Sequence, residues 1–202
     1  MAKSRRTIVP DRKLQILQSA SGVFAKKGYH EASISDIIDH AGIARGTFYL
    51  YFKHKRDVFD HLLNDFLHQL DTLIKPVEIQ PDSPDPLQQL KDNISNVLNL
   101  IDSQPQIAKI LLHLSAGLDE RSAVAAESFY NKVLEMIENA LKVGIDIGIV
   151  RKCNTKISAI IILGTVKEVA NYLLVSHKNA PSIQEISDEI IQYGMNGILI
   201  SK

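Results

Sequence analysis

Ser33-Ile34-Ser35-Asp36-Ile37-Ile38-Asp39-His40-Ala41-Gly42-Ile43-Ala44-Arg45-Gly46-Thr47-Phe48-Tyr49-Leu50-Tyr51-Phe52 holds two short helical patterns separated by a turn. Ser33 with Asp36 three residues later is a weak form of the capping box, in which two side chains satisfy backbone N–H groups at a helix start. Ile34, Ile37, Ile38 and Ala41 then give the apolar stripe of a helix over about 34–41. Gly42 breaks that helix, Ile43 suits a buried turn, and Arg45 to Phe52 supplies one or two further turns. Two short helices across a glycine-containing turn are the outline of a helix-turn-helix, whose second helix enters the major groove of DNA.

Upstream, Asp11 can cap a helix whose face is Leu14, Leu17, Ser21 and Phe24. Lys26 and Lys27 fall in its last turn and Gly28 suits its stop, so this helix runs over about 12–27. Downstream of Asp57, the stripe Val58, Leu62, Phe66, Leu70 and Leu73 with Ile74 marks a fourth helix, ended by Pro76. Four of the seven prolines then lie between Pro76 and Pro86, which reads as a connecting loop. Helical patterns follow at 87–102, 106–116, 121–147, 155–177 and 183–199. Their dividers are Pro105, Gly117 with Asp119, Gly144 and Gly148 with Cys153-Asn154, and Pro181. The pattern predicts an all-α chain with no strand pair, repeat or low-complexity tract. A three-helix helix-turn-helix unit over 10–70, its motif at about 33–52, should sit on a larger C-terminal helical bundle over 71–202.

The 202 residues are 45% hydrophobic and 23% charged, which excludes the disordered, collagen-like and coiled-coil classes. The single Cys153 can form neither an internal disulfide nor a thiolate zinc site, so nothing suggests an oxidising compartment. The basic first ten residues are followed by no apolar run and do not read as a secretory signal. Ile157 to Val175 is the most apolar stretch. Lys167 and Glu168 near its middle would each cost about 2.5–3.5 kcal/mol in a bilayer, so the stretch reads as a buried helix of a soluble, cytoplasmic protein with no membrane partner.

Net charge is zero, but it is unevenly placed. Residues 1–60 hold 11 Lys and Arg against 6 Asp and Glu, a balance of +5, while residues 61–202 hold 12 against 17, a balance of −5. A basic segment tied to an acidic one suggests that only the first meets a polyanion, because phosphate neutralisation needs clustered cations. Within that segment Ser33, Ser35, Arg45, Thr47, Tyr49, Tyr51, Lys53, His54 and Lys55 concentrate groups that can reach phosphates or base edges. Gly46 leaves the second helix bare enough for close approach to DNA.

The runs Phe24 to Tyr29, Ala32 to Ile37 and Ala41 to Lys55 resemble the TetR/AcrR transcriptional repressors, the likeness spanning about residues 10–70. The resemblance implies an all-helical homodimer that binds a palindromic double-stranded DNA operator through three N-terminal helices, with a ligand in the C-terminal helices releasing the DNA. Carried over by position, it implies phosphate contacts from Ser33, Tyr49 and Lys55, and base-edge or groove contacts from Arg45, Gly46, Thr47 and Leu50. The family often has Ser or Thr where this chain has Ala44, and Ser where it has His54. A missing side-chain cap costs about 1 kcal/mol.

A ligand cavity is expected among the fourth to eighth helices. Candidates are Phe66 and Leu70 on the fourth; Leu111 and His113; Phe129, Tyr130, Val133, Met136 and Ile137 on the 121–147 helix; and Val166, Ala170 and Tyr172 near the end. The set is aliphatic with few polar anchors, which suggests a hydrophobic small-molecule effector such as an acyl chain or lipophilic drug. The last two helices carry wide apolar faces: Ile157, Ile160, Ile161 and Gly164 on one, Ile186, Ile190, Tyr193, Gly194 and Gly197 on the other. The family's habit of pairing these helices makes them the expected dimer seam. His54, His61 and His68 recur every seven residues, roughly 10 Å apart along a helix, too far to share a metal, so they read as a solvated face. No cofactor or metal is expected, and no phosphate loop, G-x-S-x-G or H-E-x-x-H motif suggests an enzyme. The competing reading is a helical ligand carrier or interaction protein without specific DNA binding, which would not need the basic segment around Arg45 to Lys55.

Overall fold

The computed structural model describes residues 11–112, 120–175 and 180–195. Among them every regular element is a helix: α1 (Arg12–Lys27), α2 (Ile34–Ala41), α3 (Arg45–Tyr51), α4 (Lys55–Leu73), α5 (Pro86–Ser103), α6 (Pro105–Leu112), α7 (Glu120–Asp146), α8 (Thr155–Val175) and α9 (Ile183–Met195).

Local capping sets the first four. The Asp11 carboxylate accepts from the backbone N–H groups of Lys13 and Leu14, satisfying two of the orphan donors that begin α1. At α2 the capping box is complete: Asp36 N–H donates to Ser33 Oγ at 3.1 Å, and the Asp36 carboxylate accepts from Ser33 N–H at 2.9 Å. Gly42 ends α2 at φ 60° and ψ 39°, the left-handed conformation in which a side chain is strained, and this turn aims α3 away from α2. Ala44 caps α3 through its backbone alone, as its side chain dictates. α4 starts at Lys55, ahead of the apolar stripe, because the Asp57 carboxylate accepts from the N–H groups of Lys53 at 2.8 Å and His54 at 3.3 Å.

Two prolines that the sequence pattern treats as breaks are helix starts. Pro86 follows the Asp85 cap in α5, and Pro105 is the first residue of α6 instead of a separator before it. At a first position the missing N–H costs nothing and the fixed φ is already helical. Residues 113–116, expected to extend the sixth helix, and 196–199, expected to extend the last, lie outside the described residues.

One buried cluster runs from the helix-turn-helix into the larger bundle. Ile16, Ala20 and Phe24 of α1, Ile37 of α2, Phe48 of α3 and Phe59 of α4 join Phe66, Leu70, Ile107, Leu111 and Phe129 without a break. Its aromatic knot is Phe24, Tyr29 and Phe59, with ring centroids 4.7 to 6.3 Å apart. α4 therefore packs on α1, α5 and α7, with Phe59 against Phe24 of α1 and Phe66 against Phe129 of α7. A smaller cluster, Leu141, Val150 and Ala159, closes α7 against α8.

α8 departs from the buried helix expected of its composition. It is long and apolar enough to cross a membrane by length and composition, yet among the described residues only part of it is buried. Ser158, Ala159, Ala170, Leu173 and Leu174 are buried, while Ile157, Ile160 and Ile161 are more than half exposed. An all-round apolar helix with one uncovered face is a surface awaiting contact, not a core strut.

Candidate nucleic-acid interface and effector cavity

The polar strip predicted to meet DNA is exposed as a unit. Ser33, Ser35, Arg45, Gly46, Tyr49, Leu50, Tyr51, Lys53 and His54 all lie on the surface, with Thr47 half-buried among them. Leu50, 82% exposed, has no packing reason to be apolar. Beneath the strip, buried Phe48 and Phe52 hold α3 to the core, with Phe52 edge-on to the His61 ring at 5.3 Å. Arg45 stacks its guanidinium 5.9 Å from the Tyr49 ring centroid, one helical turn on, which directs the arginine along the outer face of α3. A Cβ built at Gly46 meets nothing within 4 Å. The protein itself therefore does not require glycine there.

Three groups hold this strip in place, and sequence reasoning gave only one of them this task. Asp36 pairs with Lys27 Nζ at 2.6 Å while capping α2, joining the end of α1 to the start of α2. The Lys27 ammonium, followed by the Ser33 N–H and hydroxyl, holds the Asp36 carboxyl down at about 2, well below its ordinary value. Gln15 Nε2 donates to the Ala41 carbonyl at 2.7 Å, tying α1 to the turn itself.

Lys55 is the correction. Expected at a phosphate, its ammonium instead donates to the carbonyls of Tyr29 at 2.9 Å, His30 at 2.8 Å and Ala32 at 2.8 Å, and lies 4.7 Å from the Tyr29 ring centroid. All three of its donors are thereby used within the chain.

An apolar cavity of about 210 Å³ lies between α4, α5, α6, α7 and α8. Of the residues named as pocket candidates, Phe66, Leu70, Leu111, Phe129, Tyr130, Val133, Met136, Ile137, Val166 and Ala170 line this cavity. His113 lies outside the described residues. Tyr172 does not line the cavity and is about half exposed, because two residues beyond Ala170 is roughly 200° around the helix. The whole α5 wall, Asn93, Ile94, Val97 and Ile101, was missed, as were Ile74, Ala108, Ile162, Leu163 and Lys167. The spacing 94, 97, 101 was visible as a helical stripe, but nothing local says that this stripe faces a void. Tyr130 donates its hydroxyl to the Leu111 carbonyl, and burial pushes its own ionisation up.

On the expected seam, Ile157, Ile160, Ile161 and Gly164 are exposed, and so is Tyr193, at 78%. Ile186, Ile190 and Gly194 are half-buried; Gly197 lies outside the described residues. α9 is held on α5 by its other side, where buried Ser187 accepts from Ser95 Oγ at 2.9 Å and Asp188 pairs with Lys91 at 2.9 Å. The histidine row is not uniformly solvated: His54 and His68 are exposed, but His61 packs on Phe52 and its Nδ1 lies 2.9 Å from the Asp57 carbonyl. Among the described residues no cluster of His, Cys, Asp and Glu could hold a metal. Cys153 is half-buried against the smaller cluster.

Residues 16–62 match the family model described as bacterial regulatory proteins, tetR family. The fatty acid metabolism regulator protein of Bacillus subtilis (strain 168) is 39% identical over 66 residues, 31% of this chain and 34% of that protein. The chain's match spans between 31% and 50% of the length of the first three curated relatives. In overall fold it is similar to the fatty acid degradation regulator FadR from Bacillus halodurans, with a TM-score of 0.76 and 22% identity over 94% of this chain and 97% of that one. It is also similar to FadR from Bacillus subtilis, solved in complex with stearoyl-CoA, with a TM-score of 0.73 and 24% identity over 92% of this chain and 98% of that one.

Proposed function

We propose that the chain, whose residues 16–62 match the tetR family model, is a dimeric transcriptional repressor of that family whose hold on a palindromic operator is released by a small hydrophobic effector. One observation carries the reading: a single helix, α4, joins the exposed DNA-facing strip at its start to the apolar cavity near its end. From Lys55 to Leu70 is about 22 Å of rigid helix at 1.5 Å per residue. Phe66 and Leu70 are cavity wall, while Lys55 and Asp57 hold the turns that flank α2 and α3. A ligand that pushes Phe66 or Leu70 tilts the helix that positions α3.

In this reading residues 10–70 carry operator contacts through Ser33, Ser35, Arg45, Gly46, Thr47, Tyr49, Leu50, Tyr51, Lys53 and His54, and residues 71–202 carry the effector and the partner copy. The uncovered faces of α8 and α9 form the seam, and the two α3 helices stand roughly 34–36 Å apart, or a multiple of it, to meet successive major grooves. Effector binding changes that spacing by shifting the balance between two dimer arrangements. The protein then works in the cytoplasm, at the nucleoid when DNA-bound. A cavity of about 210 Å³ is below the roughly 300–1,000 Å³ of drug-sized sites, which supports a slender chain over a fused-ring ligand. The stearoyl-CoA bound to the Bacillus subtilis FadR supports an acyl chain in particular.

The test is a genomic-fragment binding selection with wild type beside Tyr49→Ala, repeated at several salt concentrations and with a decanoyl compound added. Enrichment of a palindrome by wild type alone, weakened steeply by salt and lost on adding the acyl compound, is the expected result. Absence of any enriched sequence, from protein extracted free of bound lipid, would favour the carrier reading and overturn this one.

A further inference from the structure

Among the described residues, the effector cavity has one cation in its wall. Lys167 on α8 is half-buried in its wall, with its Nζ 5.2 Å from the Tyr130 ring centroid, and no carboxylate pairs with it among the described residues. The other polar groups in the wall are already engaged. Tyr130 donates its hydroxyl to the Leu111 carbonyl, and the Asn93 amide closes on the Lys75 backbone with bonds of 2.9 and 2.8 Å. An ammonium offers three donors, and a ring face satisfies its charge without accepting any of them in the geometry of a hydrogen bond. A half-dehydrated cation beside an apolar void is a site whose missing component is an anion.

Its position in the helix says where that anion would lie. Lys167 is one turn from Leu163 and from Ala170, which line the cavity, and two turns from Ile160, which is exposed. The residue thus stands where the cavity wall meets the exposed face of α8, its methylene stem available to the apolar wall and its ammonium against the Tyr130 ring. The fixed Tyr130 ring holds the head there.

We propose that the effector is an anionic amphiphile, a slender acyl chain filling the cavity with its negative head paired to Lys167. This rests on the cavity being the effector site. The anion could be the carboxylate of a free fatty acid or a phosphate carried by an acyl thioester, and these share the chemistry that Lys167 reads.

Calorimetric titration of the full-length chain with decanoate, decanol and decanoyl-CoA tests it, using wild type, Lys167→Met and Lys167→Arg, with operator release measured in parallel. In wild type at least one anionic ligand should bind about ten-fold or more tighter than decanol, the scale of one charge-assisted hydrogen bond. Lys167→Met should erase that preference while binding decanol as wild type does, which also reports that the variant is folded, and Lys167→Arg should retain it. Dependence on Lys167 for decanoate alone identifies the free acid, and for decanoyl-CoA alone the phosphate-bearing ester. Equal binding and equal operator release by decanol and both anions would overturn the head-group assignment while leaving the cavity reading intact. Failure of all three to bind wild type would overturn both.

Discussion

The Nζ of Lys55, the first residue of α4, lies 2.8 Å from the carbonyl oxygen of Ala32, the residue before the α2 cap. With its bonds to Tyr29 and His30 it makes the start of α4 and the entry to α2 one mechanical unit, joined by a charge-assisted clamp. Lys55→Met should therefore lower Tm by about 2–8 °C, the range for losing hydrogen bonds to a charged group in a chain of this size. It should weaken binding to every DNA sequence without changing the salt slope. If the lysine acts at a phosphate instead, Tm will hold and the slope of log affinity against log salt will fall by about one.

The Asp36 carboxyl, held at about 2 by Lys27 and Ser33, links stability to acid. Its folded value lies below its unfolded value, so the stabilisation is fully present above about pH 5 and disappears as pH falls through about 2. Urea unfolding midpoints measured from pH 6 to pH 2 should fall in wild type. In Asp36→Asn they should start lower and fall less, and parallel curves would show that the pair with Lys27 contributes nothing.

Gly46→Ala separates fold from recognition. The added methyl meets open space within the chain, and alanine is favoured in a helix by about 0.5–1 kcal/mol. Circular dichroism should give a Tm equal to or above wild type, while operator affinity drops about ten-fold, the scale of one lost base contact. Unchanged affinity would remove Gly46 from the interface.

The exposed face of α8 makes a further prediction. Because Ile160 and Ile161 are more than half exposed, Ile160→Asp with Ile161→Asp should leave helical content unchanged. Sedimentation velocity should show wild type as a dimer and the double variant as a monomer, with palindrome binding lost together with the dimer. A variant that remains dimeric would move the seam elsewhere.

The helix-turn-helix was legible residue by residue because its signals are local. The Asp11 and Ser33 caps, the Asp36 partner, the Gly42 turn and the apolar stripes all act within about four positions of the chain. The cavity was legible as chemistry and half legible as geometry. Phe66, Phe129 and Val133 could be named from the helices that carry them, but Ile94 and Val97 could not, since a stripe facing a void and a stripe facing a neighbour read alike.

The helical class, the order and approximate bounds of the helices, and the polar strip from Ser33 to His54 are readable along the chain, because propensity, capping and periodicity are properties of neighbours in sequence. Three features come from long-range packing instead: Lys55 turns inward to carbonyls 23 to 26 residues away, Tyr172 faces out while Lys167 enters the cavity wall, and α8 leaves Ile160 and Ile161 uncovered. Each of these depends on which distant element arrives opposite a given face, and that choice is made by the summed packing of the whole core, which no stretch of a few residues contains.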